Sequence, residues 1–336
     1  MPKYSVLIIG CGSIGERHLR CFQQSGRADV TACDINPVLL KKMADTYGAP
    51  GEPNWERAVA SGRYQVVVVC APAQFHIAMG IKALQSGCHT LLEKPLSNSL
   101  KGVDELIAAR EKSGKKIAVA YTSWVMPFLC QARDFIKAGG IGPVRQVVMI
   151  AGQAFHLLRP AYRNTYYKDH FSGGGAIQDA LTHQTNWVES VIGPAESVMA
   201  DCAHLELDGV SVEDTAHVTS RHPGGALASF AINQFQMPNE ITLQLNAAKG
   251  SVKIEYHAQR WGVLRAGETD WTWTVASVPA RDSHFIAEAN AFLDQLEGRP
   301  PRLCSVEEAA HSLRFNLAAL ASAASGARVH TKDIHA

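Results

Sequence analysis

The sequence predicts an α/β chain in two domains. Residues 1–123 form a layer of parallel strands alternating with helices, and residues 124–336 form an α+β domain around a large, mostly antiparallel sheet. Three observations predict it. At 336 residues the chain exceeds the size at which one hydrophobic core usually stops growing. Up to residue 120, short apolar runs alternate with helical patterns, the order of a parallel sheet. From Val144 the period changes to successive strands joined by short turns such as Pro223–Gly225, which favours antiparallel pairing.

Ser5-Val-Leu-Ile-Ile9 is continuously apolar, as expected of a strand buried on both faces. It runs into Gly10-Cys-Gly12-Ser-Ile-Gly15, and a helical pattern follows through Leu19 and Phe22. This is GxGxxG between a strand and a helix, the setting in which the motif carries meaning. Gly10 permits the tight turn, Gly12 admits a pyrophosphate close to the backbone, and Gly15 lets the helix pack on the sheet. The next strand, 29–33, ends at Asp34, an acid at the spacing of the ribose-binding element of a dinucleotide fingerprint. Helices are expected at 37–47, 54–61, 75–86 and 99–113, with strands at 65–70, 89–93 and 116–120. Ala71-Pro72-Ala73 breaks the 65–70 strand. Glu93-Lys94-Pro95 closes the 89–93 strand at the carboxyl edge, where open parallel sheets bind ligands.

In the second domain a helix is expected at 128–138. Strands are expected at 144–155, 196–207, 214–221, 226–236, 240–248, 251–256, 261–265 and 271–276. Gly173, Gly174 and Gly175 lead as a flexible turn into a helix over 176–192, and further helices are expected at 284–297 and 305–325. On the 176–192 helix Asp179 and His183 are i,i+4 neighbours, and Asn186 continues their stripe. A carboxylate beside an imidazole suits a general base, and a solvated polar face or a structural pair has the same spacing. The segment 156–170 is dense in aromatic and basic residues. Tyr162, Arg163 and Tyr166 there are candidate substrate contacts, and packing of an ordered loop is the other reading.

Bulk numbers exclude several classes. A formal net charge of +1 gives no global attraction for nucleic acid or an anionic membrane. Apolar runs such as VVVVCAPA are too short to span a bilayer, and the N-terminal apolar stretch lacks the features of a signal peptide. Eight cysteines without a CxxC pair favour reduced thiols in a cytoplasm. Fourteen dispersed histidines without HxxxH or HExxH argue for no metal site.

The segments GCGSIGERH, APAQFH, SGCHTLLEKPLS, AVAYTSWVMP and GGGAIQDALTH, in this order and spacing, resemble the Gfo/Idh/MocA (glucose–fructose oxidoreductase/inositol dehydrogenase) family, over essentially the whole chain. The resemblance implies a Rossmann domain followed by a substrate-binding and oligomerisation domain. It implies an NAD(P)-dependent oxidoreductase for a sugar, glycoside, polyol or cyclitol, working as a homodimer or homotetramer. It implies catalytic roles for Lys94, Asp179 and His183. It implies a cofactor site comprising Gly10, Gly12, Ser13, Ile14, Gly15, Asp34, Ala71, Pro72, His76, Glu93, Lys94 and Tyr121. The chain departs from the family pattern at Pro72-Ala73, at Tyr121–Val125 and at Asn186, positions that bear on substrate identity.

In the expected oxidation His183 takes the hydroxyl proton, Asp179 orients it, and Lys94 stabilises developing alkoxide charge. Asp34, with no arginine directly after it, favours NAD over NADP. Transient oxidation that cleaves a glycosidic bond and a non-catalytic NAD-binding sensor are the alternatives. An oligomer through the second sheet is expected because Ala216, Val218, Leu227, Phe230, Leu243 and Leu245 read as apolar residues on both of its faces.

Overall fold

The structure is a computed structural model that describes residues 3–277, 280 and 282–335. It divides into two compact units, Met1–Val125 with Pro279–Ala309, and Met126–Val278 with Ala310–Ala336.

The first unit holds a six-stranded parallel sheet. Its strands are β1 (Tyr4–Ile9), β2 (Ala28–Cys33), β3 (Gly51–Glu52), β4 (Val66–Val69), β5 (His89–Glu93) and β6 (Ile117–Ala120), in the order β3-β2-β1-β4-β5-β6. Helices α1 (Ser13–Gln24), α2 (Pro37–Tyr47), α3 (Trp55–Ala60), α4 (His76–Gln85) and α5 (Val103–Ser113) connect them. Local sequence sets the ends of some of them. Asn36, for example, caps α2 by accepting from the Val38 amide, Pro37 takes the first helical position, and Gly48 closes the helix in the left-handed conformation. The strand order reverses direction between β1 and β4, so the loops after these two strands diverge and leave a crevice at their carboxyl ends.

The second unit begins with α6 (Pro127–Lys137) and is built on a nine-stranded sheet. After β7 (Val144–Gly152) come the short α7 (Phe155–Leu158) and α8 (Thr182–Ile192). The strands β8 (Ser197–Ala203), β9 (Thr215–Arg221), β10 (Leu227–Asn233), β11 (Glu240–Ala247), β12 (Gly250–Glu255), β13 (Arg260–Arg265) and β14 (Thr272–Val275) follow. Helices α9 (Ser283–Leu296) and α10 (Val306–Ser325) and the two-residue β15 (Val329–His330) complete the chain. The order is β14-β13-β12-β11-β7-β10-β9-β8-β15, and every pair is antiparallel except β7 with β10.

Two expectations are corrected. A single boundary at 123/124 misses the return of the chain to its first unit. Ala289, Phe292 and Leu293 of α9 share a core with Leu19, Phe22 and Val30, and the Val119 amide donates to the Cys304 carbonyl at 2.9 Å. The apolar residues read as lying on two faces of the second sheet share one buried face, apart from Leu227. In register, Val218, Phe230, Met149 and Leu243 stand side by side, and Ala216 and Leu245 lie in the same core. Among the described residues no helix is long and apolar enough to cross a membrane.

Candidate active site

The glycine turn after β1 has the shape a dinucleotide needs. Gly10 has φ +88°, and a Cβ on it would lie 2.7 Å from the Cys70 carbonyl oxygen; one on Gly15 would lie 1.7 Å from the Gly10 oxygen. Any side chain at either position breaks the turn. A Cβ on Gly12 would meet nothing within 4 Å, so its backbone is open to a ligand. Ser13 is exposed and Ile14 half-buried at the start of α1, whose free N–H groups favour an anion. Asp34 closes β2 against the same turn. One oxygen accepts from the Cys11 amide at 2.7 Å and the other from the Asn36 amide at 2.8 Å. These two bonds hold the carboxylate beside the glycines and leave lone pairs for ribose hydroxyls. The residues present therefore fit NAD.

The loops after β4 and β5 lie at the same edge of the sheet. Pro72 is exposed, and Ala71 and Lys94 are half-buried. Glu93 is buried: one oxygen lies 2.7 Å from His18 Nε2, and the other accepts from the Lys94 amide at 2.8 Å. Burial alone would raise the Glu93 carboxyl, but His18 and Lys94 outweigh it and hold the group below the usual carboxylate range. His76 is buried between two carbonyls, with Nδ1 2.9 Å from Pro95 O and Nε2 2.7 Å from Ala71 O. Tyr121 is fully buried. The side chains of His76, Glu93 and Tyr121 are thus buried, so a place for these residues beside the cofactor falls to their backbone or to the neighbours they hold. Sequence reasoning missed His18, which shares the buried stripe of α1 with Leu19 and Phe22 and so reads as core.

In the second unit the expected α-helix over 176–192 opens with a π-helical turn, Ala176–Leu181, before α8. Asp179 lies inside the wide turn and His183 in the first turn of α8, so their spacing differs from an uninterrupted α-helix. Such turns often mark functional sites. Nor are the glycines before it a flexible lead. A Cβ on Gly174 would lie 2.2 Å from the Tyr167 carbonyl oxygen, and Gly175, at φ +96°, packs against the Glu213 carboxylate. Glu213 fastens the turn by accepting from the Ile177 amide at 2.8 Å and bonding His170 Nε2 at 2.5 Å, while its carbonyl accepts from the Ala176 amide. This carboxylate raises the His170 pKa.

Tyr166 donates its hydroxyl to Asp179 at 2.8 Å, which joins two of the expected site residues. Tyr162 and Arg163 go elsewhere. The Tyr162 ring is buried with Phe155 and Tyr167, its hydroxyl donates to the Asp208 carbonyl at 2.8 Å, and Arg163 Nε donates to the same oxygen at 2.9 Å. Tyr162 is therefore corrected from a substrate contact to a packing residue. Asn186 donates to Ser312 at 3.0 Å and is buried. Among the described residues no three His, Cys, Asp or Glu side chains gather as metal ligands.

Comparison with known proteins agrees with this geometry. Residues 4–121 match the family model of the GFO/IDH/MocA oxidoreductases with NAD-binding Rossmann fold, and residues 129–253 match the GFO/IDH/MocA C-terminal domain. The chain is 23% identical to the D-glucoside 3-dehydrogenase of Escherichia coli K12, over 96% of each chain. It is 26% identical to an inositol 2-dehydrogenase of Burkholderia cenocepacia, over 55% of this chain and 53% of that one. Among solved structures, a levoglucosan dehydrogenase in complex with NADH and levoglucosan superposes with a TM-score of 0.86 at 20% identity, covering 98% of this chain and 99% of that one. With both domain models matched in order along the chain, it belongs to the Gfo/Idh/MocA family of oxidoreductases.

Proposed function

We propose that the protein moves a hydride between NAD and a hydroxyl-bearing carbon of a sugar, glycoside or polyol, with Lys94, His183 and Asp179 as its working side chains. The observation that carries the reading is Lys94 at the carboxyl end of β5, its backbone amide held by buried Glu93 in the unit that carries the dinucleotide turn. Bound NAD supplies the hydride acceptor at nicotinamide C4. Gly10, Gly12, Ser13, Ile14 and Gly15 bind its pyrophosphate, Asp34 its ribose hydroxyls, and Ala71 and Pro72 flank it. Lys94 donates a hydrogen bond to the substrate hydroxyl oxygen and stabilises negative charge as the proton leaves. His183 accepts that proton, Asp179 orients and stabilises its charged ring, and Tyr166 holds Asp179.

The relatives support the substrate class, since they are named for glucoside, inositol and levoglucosan oxidation. NAD is preferred over NADP because the Asp34 carboxylate repels a 2′-phosphate. Equal or better catalytic efficiency with NADP overturns that preference. The reading includes a homodimer or homotetramer, and a cytoplasmic setting in keeping with eight cysteines that form no CxxC pair. The test is a screen of sugars, glycosides and cyclitols with NAD, following reduced-nicotinamide absorbance beside product analysis. NADH formed in step with an oxidised product is the expected result. Cleaved glycoside without net NADH transfers the reading to transient oxidation, and NAD binding with no turnover on any of them transfers it to a sensor.

A further inference from the structure

His76 is the first residue of α4 and is 1% exposed. Its ring lies between the loops that follow β4 and β5, with Nε2 facing the carbonyl of Ala71, just after β4, and Nδ1 that of Pro95, just after Lys94. Both partners are acceptors, and burial lowers the ring's pKa, so the neutral ring donates its single N–H to one carbonyl while it packs against the other. The ring is too deeply buried to meet a ligand, yet it touches the backbone of both the loop after β4 and the loop that carries Lys94. On the far side of Lys94, Glu93 accepts from the Lys94 amide and bonds His18 of α1. The Lys94 backbone is thus bracketed, with Glu93 on its amide and His76 on the carbonyl of the residue that follows.

We propose that His76 is a positioning residue for Lys94, a clasp that fixes the Lys94–Pro95 loop against the Ala71 loop so that the lysine is held still at the sheet edge. The inference rests on the assignment of Lys94 above and goes beyond it, since no contact of His76 with cofactor or substrate is involved. Displacement of a reacting group by about 1 Å can cost on the order of 10²-fold in rate, which is the scale at which such a clasp matters.

Two measurements test it, the first without any substrate. Hydrogen–deuterium exchange is followed by mass spectrometry in the wild-type protein, His76→Gln and His76→Ala, together with NADH affinity from nicotinamide fluorescence. Faster exchange confined to peptides covering 71–76 and 93–98 is expected, with the 10–19 turn still protected and NADH affinity within about threefold of wild type. Gln, which can still donate to one carbonyl, should recover part of the protection. Exchange raised throughout the unit, or unchanged at 93–98, overturns the proposal. If His76→Ala does not fold, His76→Gln alone decides by the same criterion.

The second measurement is steady-state turnover on a substrate found in the screen. A kcat about 10- to 100-fold lower at near-constant KM for NAD is expected. An unchanged kcat in folded His76→Ala, while Lys94→Ala is inactive, also overturns the clasp. If Lys94→Ala itself keeps full turnover, the assignment of Lys94 is what fails, and the exchange result still reports on the loop.

Discussion

Glu93 and Lys94 are adjacent charges at the end of one strand, and the sequence does not say which faces a ligand. Alternation decides this on a half-buried strand, but β5 is buried on both faces and offers no polar side to read. The glycine turn and Asp34 were legible because each role is local, set by φ or by a bond to a residue close in space through one loop. Tyr162 and Tyr166 were not separable, because the deciding partners, Asp208 and Asp179, are distant in sequence. His183→Ala and Lys94→Ala are each expected to lower turnover by roughly 10²- to 10⁴-fold, the usual worth of a general acid–base group, while NAD binding survives. Asp179→Asn should be damaging too, because an amide stabilises an imidazolium poorly. Turnover, thermal midpoint and NAD affinity of the three variants check this. A folded His183→Ala with near-normal turnover removes His183 as the base and makes Tyr166, already bonded to Asp179, the next candidate.

At the scale of elements, nearly every strand and helix was legible from hydrophobic period, and the departures have physical causes. β3 and β15 hold two residues each, too few for any period. The π-helical turn is fixed from outside by Glu213, 34 positions beyond Asp179, so the period of its own residues could not report it. Glu213→Ala leaves the Ile177 amide without its acceptor, at a cost of about 1–3 kcal/mol, and should lower turnover beyond what the shift in thermal midpoint explains. The His170–Glu213 bond adds a pH dependence. Because Glu213 raises the folded-state pKa of His170, the bond stabilises fully below the ordinary histidine value and is lost as pH rises through the raised one. His170→Gln should flatten that part of the stability profile.

Glu189 of α8 gives a second slope. Buried, it accepts from the Ala195 amide and Ser312, and burial pushes its carboxyl up to about 7. A raised acid binds its proton more tightly in the folded state, so stability falls as pH climbs from the ordinary value through 7. Glu189→Gln, which mimics the neutral acid, should therefore raise the thermal midpoint at pH 8 and change it little at pH 4.5; a lower midpoint at pH 8 contradicts the assignment.

At the scale of the whole molecule, the return of α9 to the first unit was illegible because an amphipathic pattern states that a helix has an apolar face without stating which core receives it. The oligomer expectation had a faulty premise, since all but one of the residues cited for two apolar faces share the buried one. The register supplies a better premise. Ile150, Met199, Leu227 and Val275 stand on the opposite, open face of the nine-stranded sheet, at 61%, 44%, 46% and 65% exposure. Large apolar side chains spread along one sheet face, across strands β14, β7, β10 and β8, are costly in water and are covered when a second copy packs there. A two-fold contact would place that face against itself. Ile150→Arg puts a charge on β7, near the middle of the strand order, without touching the buried face, so it should convert the assembly to monomers while far-ultraviolet circular dichroism stays unchanged. Light scattering at micromolar concentration reads the outcome. A wild-type protein already monomeric there sinks the assembly altogether, and an Ile150→Arg protein that keeps its full mass moves the interface to another surface.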